Sequence, residues 1–402
     1  MKILFLSAIN IFDINQRNIY TDLLREFIRN GHYVYSVSPS ERRLKKKTTL
    51  IEGENYKLLQ IQTLSLQKTN VIEKGFSTLT IGYLFKRGIS NYFENVKFDL
   101  ILHTTPPITF VNVIEFYKKK YKSYIYLLLK DIFPQNAVDL AFFNKKSLIY
   151  KYFKLKEKEL YDISDYIGCM SPANKEYLLY NKPSVPNSKI EINPNSIKII
   201  DKKLSFQQIQ KIKVKYELPD NKTIFIYGGN LGEPQGIPFL LNVINSNKKN
   251  KNVFFLIIGS GTHYNKIHNA LIKMSVKNAK LLKSLNPEEY RELVICSDVG
   301  LIFLDHRFTI PNFPSRLLSY LENKKPVLAA TDMVTDIGEI MSNNKFGYWV
   351  ESGDLKIYNN YLNHFTDNPN IIDEMGNRGY QYLTKNYTVE SSYDIIMNHF
   401  SN

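Results

Sequence analysis

The feature that most constrains the fold is a repeated alternation of short apolar runs with helix-like segments. Apolar runs of strand length occupy residues 1–7, 33–37, 99–102, 124–129 and 166–169, and loop residues and then a helical pattern follow these runs. Strands that alternate with helices in this way predict βαβ units around a parallel sheet.

The same alternation begins again after residue 200. A lysine-rich, weakly apolar segment at 200–222 precedes a second series of strand-like runs, at 223–227, 253–258, 279–282, 299–303 and 326–330. The sequence therefore predicts two doubly wound α/β halves with a boundary near residue 200. Because ligands bind at the carboxyl ends of strands in open α/β sheets, the loops after these strands are the places to look for chemistry.

Composition excludes several other classes of protein. The 402 residues are 44% hydrophobic and 23% charged, which is typical of globular chains and not of disordered ones. The two cysteines, Cys169 and Cys296, are too few and too far apart for a disulfide framework or a cysteine-built zinc site. We find no signal-peptide pattern and no apolar run long enough to span a bilayer, and we predict a cytoplasmic location.

The positive charge is concentrated in the first half. The net charge of the chain is +15; residues 1–200 contribute 30 − 18 = +12 of it and residues 201–402 contribute 23 − 20 = +3. A genome rich in A and T would explain many lysines but not their uneven placement. The asymmetry indicates a polyanionic partner, either nucleic acid or an anionic lipid surface.

Glycine-rich loops follow the first two strands of the second half. Gly228, Gly229 and Gly232 follow one strand, and a helix begins after Gly236, while Gly259 and Ser260 follow the next strand. Backbone N–H groups in such turns can approach an anion closely. The alternative is a tight turn that holds no ligand.

Arg316 stands at the start of a predicted helix, where a cation opposes the helix dipole. An arginine at such a place is well suited to grip a diphosphate in a bidentate way. The alternative is an ordinary ion pair with Asp305 or Glu322.

Together these segments resemble family 4 glycosyltransferases with the GT-B fold. The resemblance covers nearly the whole chain and is carried by GGNLGEPQGI, GSG and PNFPSRLLSYLENKKPVLAATD in the second half, and by RNGHYVYSVSP, DLILHTTPPITF, DIFPQNAVDL, IGCMSPANKEYLL and INPNS in the first. It implies two facing Rossmann-like domains with a cleft between them: an acceptor-side domain at 1–200, a nucleotide-sugar donor domain at 201–385, and a terminal helix at 386–402 that crosses back to the first domain.

The family pattern implies roles for individual residues, but this sequence differs from the pattern at some of the positions. Gly229 and Asn230 begin the diphosphate loop, but Asn230 and Gln235 stand where the family usually has arginine and lysine. Arg316 would then neutralise the diphosphate, and the first-half Arg17 is a second candidate for this role. The predicted donor-binding set is Arg17, Gly229, Asn230, Gln235, Gly259, Ser260, Ser315, Arg316 and Ser319. An ordinary surface role for Arg17 stays open.

A second departure concerns the reaction stereochemistry. The family's two paired glutamates would fall at Pro311 and Ser319, and neither residue is acidic. The second glutamate normally holds the ribose, which Ser319 could do only weakly. The resemblance therefore does not predict that the anomeric carbon keeps its configuration during transfer.

An inverting transfer needs a base for the acceptor hydroxyl, and Asp131 is the candidate. It follows the strand at 124–130, although an aspartate before Pro134 could simply cap a turn. Asp139 is a second candidate carboxylate on the acceptor side, and His103 is a candidate for contact with the acceptor. No metal is expected, because the sequence has no Asp-x-Asp triplet and no His/Cys cluster.

The resemblance is strongest to capsule and O-antigen transferases of N-acetylated 6-deoxy sugars such as N-acetyl-L-fucosamine. It implies a UDP-sugar donor, an acceptor sugar on a polyprenyl diphosphate, and other capsule-synthesis enzymes as possible partners. The lysine- and aromatic-rich segment 142–161 could lie on an anionic membrane, at the inner face of the bacterial plasma membrane, or pack on the sheet as an ordinary helix.

Other functions remain open at this stage. One is a non-hydrolysing UDP-sugar epimerase of the same fold, and another is a non-catalytic scaffold of a polysaccharide assembly complex. Nucleic-acid binding is disfavoured, because the basic runs lack the aromatic RNA motifs and the helix-turn-helix pattern.

Overall fold

The computed structural model of the protein describes residues 1–65 and 71–400, which divide into two compact α/β units. The first unit comprises Met1–Lys198 and the segment from Val389 onward, and the second comprises Ile199–Thr388.

The sheet of the first unit has eight strands in the described part of the chain, in the order β3-β4-β2-β1-β5-β6-β7-β8. All neighbouring strands are parallel except β3, which runs antiparallel to β4. The strands are β1 Lys2–Leu6, β2 Tyr33–Glu41, β3 Thr49–Gly53, β4 Tyr56–Thr63, β5 Leu100–Thr104, β6 Tyr124–Leu129, β7 Tyr166–Cys169 and β8 Ile190–Ile192. The helices are α1 Ile19–Arg29, α2 Val71–Tyr92, α3 Val111–Tyr121, α4 Gln135–Asp139, α5 Leu148–Ile163 and α6 Pro172–Asn181.

The central strands of this sheet are buried on both faces, as their nearly continuous apolar sequence requires. On one face, Phe5 of β1 and Leu128 of β6 pack in a core with Leu24 of α1. The final helix of the chain, Val389–Met397, contributes Val389 and Ile396 to the same core.

The sheet of the second unit is parallel throughout, and in the described residues it has six strands in the order β11-β10-β9-β12-β13-β14. The strands are β9 Thr223–Asn230, β10 Val253–Ser260, β11 Ala279–Lys283, β12 Val299–Phe303, β13 Val327–Thr331 and β14 Gly347–Glu351. The helices are α7 Phe206–Lys215, α8 Ile237–Ser246, α9 Tyr264–Lys273, α10 Pro287–Ile295, α11 Arg316–Glu322, α12 Ile337–Asn344, α13 Leu355–Asp367 and α14 Asn370–Asn386, and the chain continues into α15, Val389–Met397, in the first unit.

The prediction of two doubly wound, Rossmann-like α/β domains is confirmed. The sequence patterns did not reveal the β3–β4 hairpin, β8, β14 or α7. The hairpin lies at an edge of its sheet and β8 is only three residues long, so neither carries the apolar run that marks a central strand.

Candidate active site

The turn after β9 lies where the strand order of the second sheet reverses. β9 has β10 on one side and β12 on the other, which is the topological position of ligand sites in doubly wound sheets. Gly229, near the end of β9, has a φ of 122°, a left-handed conformation that residues with a Cβ rarely adopt. A Cβ added to Gly259, on β10, would lie 2.0 Å from the carbonyl oxygen of Gly229. The backbone of this turn therefore requires both glycines.

Arg316, the first residue of α11, lies against this turn. Its Nη2 donates a hydrogen bond to Oε1 of Gln235, and its guanidinium carbon lies 4.3 Å from the centre of the Tyr227 ring. The Nη1 atom of Arg316 is buried and has no hydrogen-bond partner among residues 1–65 and 71–400. Because a buried charged donor without an acceptor is costly, this position favours an anionic ligand.

Neither carboxylate that the sequence offered as an ordinary partner of Arg316 forms an ion pair with it in the described part of the chain. Asp305 is bound by Arg307, whose Nε and Nη2 lie 2.8 and 2.7 Å from its two carboxylate oxygens. Glu322 lies 4.0 Å from Arg291 and accepts the backbone N–H of Ile200 at 2.9 Å. The guanidinium of Arg316 is therefore not neutralised by either acid.

Three tyrosines lie around the start of the glycine turn: Tyr227 and Tyr320 are fully buried, and Tyr290 is half-buried. The hydroxyl of Tyr320 accepts the backbone N–H of Gly228 at 3.3 Å, and a Cβ on Gly228 would collide with the ring of Tyr290 at 2.2 Å. Burial raises the pKa of Tyr290 to about 12 and also raises the pKa values of Tyr227 and Tyr320, so all three phenols stay neutral. These rings shield the guanidinium of Arg316 from water, which strengthens its interaction with an anion.

The other predicted donor-binding residues of the second unit lie at or near the same edge of the sheet. Asn230 is exposed, and its backbone oxygen accepts a hydrogen bond from Tyr227 at 2.9 Å. The Ser260 hydroxyl lies 2.8 Å from that of Ser284. Ser315 is exposed before α11, and Ser319 is half-buried one turn beyond Arg316. The structure thus brings Gly229, Gln235 and Arg316 into contact or close approach.

Asp131 lies at the carboxyl end of β6 in the first unit. Its Oδ2 accepts a hydrogen bond from Nδ2 of Asn136 at 2.7 Å, and its backbone oxygen accepts one from the Thr105 hydroxyl at 3.0 Å. Asp139, at the end of α4, accepts a hydrogen bond from Gln135 at 2.6 Å. The side chain of Asp131 is thus fixed beside the loops where a first-unit ligand would bind.

The other two first-unit predictions lie in different surroundings. His103 is fully buried in β5, and burial lowers its pKa to about 3, so its ring is neutral at physiological pH. Contact between His103 and an acceptor would require the surrounding strands to open. Arg17 donates a hydrogen bond to the backbone oxygen of Lys198 at 2.6 Å and lies 3.8 Å from Asp22. Arg17 thus contacts two residues of its own unit, and both its role in donor binding and the ordinary surface role stay predictions.

Sequence reasoning did not identify the tyrosines around Arg316 as part of the site. Tyr290 comes from α10 and Tyr320 from α11, and no sequence pattern indicates that they meet above Gly228. It also gave no role to Lys130, although a lysine directly after a strand of six residues is an available signal.

The comparison with protein families concerns this second unit. Residues 208–382 match the family model described as "Glycosyl transferases group 1". The chain is a glycosyltransferase. It is 21% identical over 283 residues to a probable glycosyltransferase, WbjE, of Pseudomonas aeruginosa, a match that covers 70% of this chain and 69% of the relative.

Solved structures agree on the fold of this glycosyltransferase. Sucrose-phosphate synthase from Thermosynechococcus elongatus matches with a TM-score of 0.75 at 15% identity, over 100% of this chain and 98% of the other. Anabaena HepE, solved in complex with UDP and glucose, matches with a TM-score of 0.74 at 13% identity, over 100% and 99%. These similarities establish the GT-B type of fold, and the expectation of a transferase enzyme is confirmed.

Proposed function

We propose that this glycosyltransferase moves a sugar from a UDP donor to a sugar carried on a polyprenyl diphosphate. The observation that carries the proposal is the buried Nη1 of Arg316, which has no hydrogen-bond partner in the described residues and lies beside the glycine turn of Gly229. The UDP complex of HepE, a protein of the same fold, supports this choice of nucleotide.

The proposed donor sugar is N-acetyl-L-fucosamine or a similar N-acetylated 6-deoxyhexose, and the proposed role is in the synthesis of a capsule or another surface polysaccharide. Support comes from the resemblance of residues 131–140 and 311–322 to transferases of such sugars.

In the proposed reaction, the acceptor hydroxyl attacks the anomeric carbon while the bond from that carbon to the UDP oxygen breaks. Negative charge develops on the leaving diphosphate, where Arg316 would stabilise it in surroundings of low polarity. Gln235 would hold the guanidinium in place, and Asn230 would offer an uncharged donor. We assign no metal to this step.

Asp131 is proposed as the general base that takes the proton of the acceptor hydroxyl, which gives inversion at the anomeric carbon. The hydrogen bond from Asn136 fixes one carboxylate oxygen of Asp131, which supports this role because it orients the side chain.

The acceptor is proposed to be reached at the inner face of a bacterial plasma membrane, where other capsule-synthesis enzymes could be partners. Helix α5 supports this, since it leaves Leu148 81% and Leu155 54% exposed among six lysines in residues 142–161. Helix α2 likewise exposes Phe76 and Tyr83, by 60% and 66%. In the described residues, every helix is too short or too polar to cross a bilayer. Apolar side chains among lysines suit a peripheral attachment to anionic lipid.

Titration calorimetry with UDP, GDP and TDP tests the donor assignment. We expect selective binding of UDP, and the absence of binding by all three nucleotides would refute the proposal and favour a scaffold. Incubation with UDP-sugars and no acceptor addresses the epimerase alternative. A change in sugar configuration without release of UDP would identify an epimerase.

A further inference from the structure

Lys130 is a half-buried lysine at the carboxyl end of β6 that forms no ion pair with any residue in 1–65 or 71–400. Two other half-buried lysines have carboxylate partners. Lys156 lies 2.7 Å from Glu159, and Lys182 contacts Glu157. Unlike these two lysines, Lys130 has no counter-ion among the described residues.

The surroundings of Lys130 destabilise the charged form of its side chain. Burial lowers the pKa of Lys130 from 10.5 to about 7, and the described structure gives Lys130 no ion pair that would offset this effect. Asp131, the next residue in the chain, has its carboxylate held by Asn136. A shielded ammonium that lacks an anionic partner is costly, and an anion supplied by a ligand would remove that cost.

The backbone at Lys130 is held in place for such a role. Its N–H donates a hydrogen bond to the Thr105 hydroxyl at 3.1 Å, and this hydroxyl donates to the backbone oxygen of Asp131 at 3.0 Å. Hydroxyl side chains lie near this edge of the sheet, since Thr104 ends the neighbouring strand β5 and Ser7 follows β1, which is next to β5. Lys130 and these hydroxyls thus lie at the carboxyl ends of parallel strands, which is where ligands bind in sheets of this type.

We propose that Lys130 binds a phosphate oxygen of a substrate, as a point-charge contact at the carboxyl edge of the first sheet. The proposal rests on the proposed function, in which both substrates carry a diphosphate: the nucleotide of the donor and the polyprenyl carrier of the acceptor. Lysine is a common ligand of phosphate in this point-charge manner.

Labelling with pyridoxal 5′-phosphate tests the inference on the intact protein. The aldehyde condenses with an amine to form an imine and water, borohydride reduces the imine to a stable secondary amine, and peptide mass spectrometry locates it. At pH 7 we expect Lys130 to be labelled at least about tenfold faster than the exposed Lys120, because its amine is more often unprotonated and the probe carries a phosphate. Pyridoxal without the phosphate should show a smaller preference for Lys130.

Protection by anions identifies the ligand. Inorganic diphosphate should slow the labelling of Lys130 and leave that of Lys120 unchanged. Protection by UDP would assign the site to the donor, whereas protection by farnesyl diphosphate but not by UDP would assign it to the acceptor lipid. Labelling of Lys130 no faster than that of Lys120, or failure of all three anions to protect it, would overturn the inference.

Calorimetry on the same sample separates this inference from the proposed function. If UDP binds but no anion protects Lys130, the inference fails and the proposed function stands. Two variants supply a second readout. Lys130→Met should lose the label that the anion protects and should bind that anion about tenfold more weakly, or weaker still, than the wild type. Lys130→Arg should keep most of the wild-type affinity for the anion. Unchanged binding of that anion by Lys130→Met would also overturn the inference.

Discussion

Replacement of Arg316 by glutamine gives the most informative test of the donor site. The change keeps a polar side chain but removes the charge from a guanidinium that stacks on Tyr227 and has one buried nitrogen without a partner in the described structure. A hydrogen bond to a charged group contributes about 1.5–3 kcal/mol, so the loss predicts a Kd for UDP that is about 10-fold to 150-fold weaker.

Titration calorimetry with UDP and with uridine measures this effect directly. Uridine lacks the diphosphate, so its affinity should be nearly the same for wild type and Arg316→Gln. Arg316→Lys should recover only part of the UDP affinity, because lysine retains the charge but cannot stack as a planar group or bind in a bidentate way.

Arg378→Gln is the matched control, because Arg378 lies on α14 and pairs with Glu374 at the surface. Its UDP affinity should equal that of the wild type. If Arg316→Gln binds UDP as tightly as the Arg378→Gln control, the diphosphate does not bind at Arg316 and the assignment of the donor site is wrong.

Three further predictions concern the base, the buried histidine and the membrane face. Asp131→Asn should lower the transfer rate by about 100-fold or more with UDP affinity unchanged; if Asp139→Asn has this effect instead, the base is misassigned. Between pH 7 and pH 5 the wild type should lose about 2 kcal/mol of unfolding free energy, measured with urea, that His103→Leu does not lose. The reason is that the histidine protonates near pH 6.5 in the unfolded chain and only near pH 3 in the folded one. If the unfolding free energies of both proteins change with pH in parallel, His103 is not buried as described. In vesicle sedimentation, Leu148→Asp should weaken binding to anionic lipid by about tenfold. The control Val214→Asp, at an exposed apolar site of α7, should bind like the wild type. Equal binding by both variants would exclude α5 as the attachment surface.

The central strands of both sheets could be predicted because burial on both faces requires continuous apolar runs. β1, β6, β9, β10 and β12 all show this pattern. The edge strands could not be predicted in the same way, because a strand such as β3 is partly exposed and mixes polar with apolar residues. Continuous apolar runs therefore identify the buried central strands of the sheets, but they do not identify the strands at the sheet edges.

The candidate site was predictable where a local motif determines the backbone and not where distant residues meet. The glycine turn at Gly229 follows from the sequence, because its left-handed conformation favours glycine. The contact between Arg316 and Gln235 joins residues 81 positions apart, and no local pattern specifies it. The lack of an ion pair at Lys130 within the described structure is likewise a property of the folded chain, since Asp131 adjoins it in sequence.

The central claim is transfer of a sugar from a nucleotide to a lipid-linked acceptor, and one measurement tests it most directly. The protein is incubated with UDP-N-acetyl-L-fucosamine and a polyprenyl diphosphate-linked N-acetylhexosamine, and both the released UDP and the mass of the glycolipid are followed. We predict that UDP and a glycolipid enlarged by one deoxysugar appear in equal amounts, and that Asp131→Asn slows the appearance of both by about 100-fold or more. An unchanged glycolipid with a panel of UDP-sugars, whether or not UDP is released, would contradict the proposed function.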